Sequence, residues 1–77
     1  MTFKDRDITI ITGVSYGMSN KQLADHLHIR EATVKQYISR LLEKTDSRSR
    51  AELVRAGFQH GILTNDKGSP PEWIPKR

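Results

Sequence analysis

Apolar positions recur along this chain at helical spacing, in four runs separated by turn residues. In residues 5–16, Ile10, Ile11 and Val14 fall at i, i+1 and i+4, a one-sided apolar stripe. Thr2 or Asp5 is placed to cap the start. Gly17 is placed to end the helix, because glycine tolerates a left-handed backbone. A short strand competes, since Ile8, Thr9 and Ile10 are β-branched, and Gly13 weakens the helix. The second run opens on Ser19-Asn20-Lys21-Gln22, a capping box, and reaches Leu27. It is expected to bury Leu23, Ala24 and Leu27, with Ala24 small enough for the next helix to cross closely. His28-Ile29-Arg30 makes a tight turn, with Ile29 as its apolar plug.

The third run, residues 31–44, repeats Val34, Ile38 and Leu41 at i, i+4 and i+7, and Leu42 widens the stripe. Lys35, Gln36, Ser39 and Arg40 then form one polar patch away from the core. After a polar loop, Ser49-Arg50-Ala51-Glu52 is a second capping box, opening a helix to about His60. Val54 and Phe58 form an i, i+4 pair expected to face the core. Leu53, Ala56 and Gly57 would lie on other sides and offer a second buried face, such as a dimer interface. The bland alternative is that this helix only closes the monomer core.

Residues 64–77 hold three prolines and one glycine and cannot sustain a helix. The pattern predicts an all-α, four-helix domain over residues 1–63 and an irregular, extended or disordered Pro-rich tail over 64–77. Trp73 and Ile74 are the tail residues suited to docking on the domain.

A chain of 77 residues allows one domain with one small core. It has no cysteine, so no disulfide framework and no thiolate zinc site is available. Charges occupy the amino terminus where a signal peptide needs an apolar run, and no 18-residue apolar stretch exists. A soluble, cytoplasmic protein away from membranes is expected. Serines 15, 19, 39, 47, 49 and 69 read better as caps and turns than as nucleophiles, and no glycine-rich phosphate loop occurs. His26 and His28 lack further ligands at metal spacing. Neither enzyme activity nor a metal, cofactor or small-molecule ligand is expected.

The net charge is +4. Residues 1–29 are balanced, whereas residues 30–55 carry seven Lys/Arg against four Asp/Glu, an excess of +3. The excess falls on the third helix and the loop after it, and such a patch suits a polyanion. Two short helices joined by a tight turn, the second presenting a polar face, have the layout of a helix-turn-helix.

Residues 3–56 resemble the DNA-binding domain of the LuxR/GerE (FixJ/NarL-type) bacterial regulators. The resemblance is carried by Phe3, Arg6-Asp7, Ile10-Ile11 and Gly17, then Ser19-Asn20-Lys21-Gln22-Leu23-Ala24. Thr33-Val34-Lys35, Ile38, Lys44 and Ser49-Arg50-Ala51 continue it in register. The resemblance implies a four-helix domain, a DNA-reading second and third helix, and a fourth helix that pairs two copies on DNA. It places Lys35, Gln36 and Ser39 on bases, to which the helical wheel adds Arg40. It places Ser19, Asn20, Lys21 and Thr33 on phosphates, where helix amino termini favour an anion. Lys44, Arg48 and Arg50 read as further phosphate contacts, and Arg30 joins them where the family has a capping serine. The chain departs from the family at Lys4, which replaces a capping threonine, and at Tyr37, which replaces a histidine. Thr45 and Ser47 replace apolar turn residues.

The expectation is a stand-alone transcription regulator that binds a palindromic double-stranded DNA site as a homodimer. Two other outputs compete: an antagonist that pairs with a full-length relative through helix four, and the DNA-binding module of a recombinase or sigma-like factor.

Overall fold

The computed structural model describes residues 2–64 and 69–75. Among them it has four helices, α1 (Asp5–Ser15), α2 (Asn20–Leu27), α3 (Glu31–Lys44) and α4 (Arg50–Gln59), and no strand. The fold is all-α. The main contacts pair α2 with α3 and α1 with α4.

The ends of α1 show which local signals act. Neither Thr2 nor Asp5 caps it; Lys4 stands at the N-cap. A lysine side chain only donates, so it makes no side-chain cap. The Asp7 carboxylate instead accepts the Lys4 N–H at 3.1 Å. The strand alternative at residues 8–10 fails, because Ile8 N–H already closes a helical turn onto the Lys4 carbonyl. Gly17 ends the helix as expected, at φ 83°. Its N–H donates to the Val14 carbonyl, and Met18 N–H donates to the Gly13 carbonyl.

The Ser19 capping box is complete in both directions. Gln22 N–H donates to Ser19 Oγ at 3.1 Å, and Ser19 N–H to Gln22 Oε1 at 2.9 Å. Helix α2 ends on His28 in the left-handed region (φ 57°), and Ile29 N–H returns to the Ala24 carbonyl. That turn seats half-buried Ile29 against the core.

The core is built from Ile10, Ile11, Val14, Met18, Leu23, Ala24, Val34, Ile38, Leu41 and Leu53. Gly13 has a packing role beyond its low helix propensity. A Cβ there would lie 2.5 Å from Leu23 Cδ2 and 2.9 Å from Met18 Sδ, so the glycine lets α2 sit close on α1. The polar turn after α3 satisfies itself. Thr45 Oγ1 donates to the Leu41 carbonyl at 2.7 Å and lies 2.7 Å from Ser47 Oγ.

Helix α4 is inverted relative to the sequence expectation. Leu53 is 0% exposed, and Ala56 and Gly57 are also buried within the monomer. Phe58 is 41% exposed and Val54 only half-buried. Gly57 is the cause: a Cβ there would meet Ile11 Cγ2 and Leu63 Cδ1, each at 2.8 Å. Without a side chain, α4 approaches α1 on the glycine side and turns Phe58 outward. Leu53, Ala56 and Gly57, expected at a dimer interface, are therefore packed within the monomer. Ser49 caps α4 as expected, accepting from Glu52 N–H at 3.2 Å. The Glu52 carboxylate reaches one residue further back than a capping box requires, to Arg48 N–H.

Residues 69–75 form neither helix nor strand, but Trp73 and Ile74 pack against the core. Trp73 stacks on His26 of α2, with ring centroids 4.4 Å apart and an interplanar angle of 14°. Residues 65–68 and 76–77 of the tail lie outside the described residues. No helix among the described residues is long and apolar enough to cross a membrane.

Candidate nucleic-acid interface

One helix face dominates the candidate site. Val34, Ile38 and Leu41 are 0%, 6% and 2% exposed and lock one side of α3 into the core. At 3.6 residues per turn the opposite side is then fixed, and Lys35, Gln36, Ser39 and Arg40 are all exposed on it. Their placement rests on buried packing rather than on contacts of their own. This leaves a polar surface on a rigid base, which suits a hydrated, charged partner.

The start of α2 adds a second group. Ser19 and Lys21 are exposed, and Asn20 is half-buried. Arg50, expected on a phosphate, turns inward. Its Nη1 donates to Asn20 Oδ1 at 2.7 Å and its Nη2 to the Met18 carbonyl at 2.9 Å. A guanidinium only donates, so Asn20 must present its oxygen to Arg50 and direct its NH₂ elsewhere. Arg50 thus braces the start of α4 against the start of α2 and sets the Asn20 amide. Sequence spacing did not reveal this contact, because residues 20 and 50 meet only through the tertiary fold.

Arg30 occupies the N-cap of α3 without a side-chain cap, and its side chain is exposed. Thr33 is half-buried in the first turn of α3. Arg48 is exposed in the loop before α4. Lys44 bends toward the amino terminus: its Nζ donates to the Thr2 carbonyl and lies 4.8 Å above the Phe3 ring.

Sequence reasoning assigned no role to Lys4 or Arg6. The structure brings both to the second half of α3, into a cleft of about 230 Å³ lined by Lys4, Arg6, Asp7, Tyr37, Arg40, Leu41 and Lys44. Arg6 lies over Tyr37, with Cζ 3.8 Å from the ring centroid. Among the described residues no group of three His, Cys, Asp or Glu side chains is arranged to hold a metal ion.

Comparison with known proteins gives a family match over most of the chain. Residues 1–56 match the family described as bacterial regulatory proteins, luxR family (GerE). A response regulator, Rre1, from Synechocystis is 40% identical over 62 residues, which is 80% of this chain and 27% of that protein. A probable transcriptional regulator, ycf29, from Cyanophora paradoxa is 38% identical over 64 residues, 83% of this chain and 30% of that protein. The regulatory protein YxjL of Bacillus subtilis is 30% identical over 61 residues, 79% of this chain and 28% of that protein. The chain thus spans less than a third of the length of these relatives. No solved structure matches it.

Proposed function

The chain belongs to the luxR family of bacterial regulatory proteins, and from that premise we propose that it regulates transcription by reading double-stranded DNA with α3. The single observation that carries the reading is the exposed Lys35–Gln36–Ser39–Arg40 face opposite the buried Val34, Ile38 and Leu41. A helix held so firmly from behind presents its polar side to the major groove, which admits one helix. Lys35 or Arg40 suits guanine O6 and N7, and Gln36 suits adenine N6 and N7. Ser19, Asn20, Lys21, Arg30, Thr33, Lys44 and Arg48 hold backbone phosphates and supply affinity that falls with salt. That relatives carry the names response regulator and transcriptional regulator supports the regulatory output.

Two copies bind a palindromic site with half-sites about one helical turn apart. The outward side of α4, with Ala51, Arg55 and Phe58 exposed, is the surface they pair through. The chemistry of the reading needs no cofactor.

The test is selection from a pool of random duplexes at two salt concentrations, with wild type beside Lys35→Ala/Ser39→Ala. Enrichment of a palindrome that the double variant fails to enrich is the expected result. No enrichment, or binding lost with salt equally in both proteins, would overturn the reading in favour of an antagonist acting by protein contact.

A further inference from the structure

Four cations converge where α1 begins and α3 ends: Lys4, Arg6, Arg40 and Lys44 rim the same cleft. Asp7 is its one carboxylate, and it is already engaged. Its Oδ2 takes the Lys4 backbone N–H at 3.1 Å, and its Oδ1 lies 3.7 Å from Arg6 Nη2. The cleft therefore carries an uncompensated positive charge. Two of the cations are also held in place before any ligand arrives. Arg6 sits over the Tyr37 ring, and Lys44 is tied to the Thr2 carbonyl. Holding long side chains in advance removes much of the entropy loss that binding otherwise carries.

The cleft is continuous with the reading face, because Arg40 belongs to both. From Lys35 to Lys44 the helix rises roughly 13 Å at 1.5 Å per residue. The major groove is about 12 Å wide. When the start of α3 lies in the groove, its end reaches the strand that borders it.

We propose that this cleft is a seat for a backbone phosphate flanking the groove, formed by Lys4 at the N-cap of α1 and Arg6 in its first turn together with Arg40 and Lys44 of α3. The proposal rests on the DNA reading above and extends the footprint to a helix outside the helix-turn-helix. The shared chemistry is a phosphate oxyanion, and the source committed to is DNA rather than a free anion.

The test measures the affinity of the full chain for a selected duplex and for an unrelated duplex across a salt series. It compares wild type with Lys4→Gln and with Lys4→Gln/Arg6→Gln. One phosphate contact contributes a slope of about −0.9 in log K against log salt. The double variant is expected to flatten the slope by about one and to weaken both duplexes by the same factor, roughly 3- to 10-fold near 0.1 M salt. Lys4→Gln changes one exposed side chain, so it keeps the test valid if loss of the Arg6–Tyr37 stack unfolds the double variant. It is expected to give a smaller shift in the same direction. Slopes and affinities equal to wild type in both variants would overturn the seat while leaving the DNA reading intact. A wild type that binds no duplex would overturn both. Inorganic phosphate is the second probe. Saturable binding at micromolar concentration, lost in Lys4→Gln, would show a free-anion site instead and overturn the DNA assignment.

Discussion

Helices α3 and α4 both pack into one core, but they leave different surfaces behind. On α3 the buried line of Val34, Ile38 and Leu41 is apolar and the exposed line is polar and basic. On α4 the buried line is Leu53, Ala56 and Gly57, and the exposed side still carries Phe58 at 41%. A polar line fixed by a buried apolar one fits a charged, hydrated partner such as a duplex. An aromatic left outside after the core is complete fits a drier contact. Under the proposed function the two helices divide recognition between nucleic acid and protein, and each side of that division can be tested.

The largest effect separates the two sides of α4. Leu53→Ala empties a fully buried position and is expected to cost about 2–5 kcal/mol of stability, read from urea unfolding. In a domain this small that is a large share of the total. Phe58→Ser is expected to cost less than about 1 kcal/mol, as an exposed position, yet to weaken pairing on DNA. If Phe58→Ser proved the more damaging of the two to folding, α4 would have to be turned about its axis.

Gly57→Ala sharpens the same point through its sign. Alanine is the better helix former by about 1 kcal/mol, so on an open face it stabilises. Here its Cβ would meet Ile11 and Leu63 at 2.8 Å each. Overpacking of this kind costs about 1–3 kcal/mol, and a net loss of stability is expected. A gain would show that the glycine side of α4 is open.

These helices also show what could be read from sequence. The bounds of α2 and α3, the Ser19–Gln22 box and the Gly17 terminus were legible because each depends on residues within one turn of one another. The α3 face was legible because Val34, Ile38 and Leu41 repeat on one side of it. In α4 apolar residues surround the helix, so periodicity does not choose a face. The choice belongs to Gly57 and to the residues it meets, one in α1 and one after α4. Lys4, Arg6 and the inward turn of Arg50 escaped for the same reason. Their partners at 37, 40, 44, 18 and 20 come near only when the chain is folded.

A smaller effect tests the start of α2. Arg50→Lys keeps the charge but cannot span both Asn20 Oδ1 and the Met18 carbonyl with a planar fork. The expected result is a loss of about 1 kcal/mol in stability, the order of a typical hydrogen bond, with weaker binding to every duplex alike. If Arg50 instead held a phosphate as a point charge, the lysine would preserve most of the affinity and leave stability unchanged.

The smallest effect concerns the tail. Trp73 stacks on His26 at 4.4 Å, and an aromatic pair of this kind contributes about 0.5–1.5 kcal/mol beyond its buried area. His26 sits on the solvent side of α2, so the stack is expected to act toward the lower end of that range. Trp73→Ala should lower the unfolding midpoint slightly and leave duplex selectivity as it was, since neither Trp73 nor His26 is among the residues proposed to read bases. Trp73 is the chain's single tryptophan, so its fluorescence reports on the tail alone. An emission that shifts to the red in the same urea transition as the loss of helix places the tail in the cooperative unit. An emission already that of free tryptophan in the native protein would detach the tail from the domain and leave Ile62 and Leu63 to close α4 by themselves.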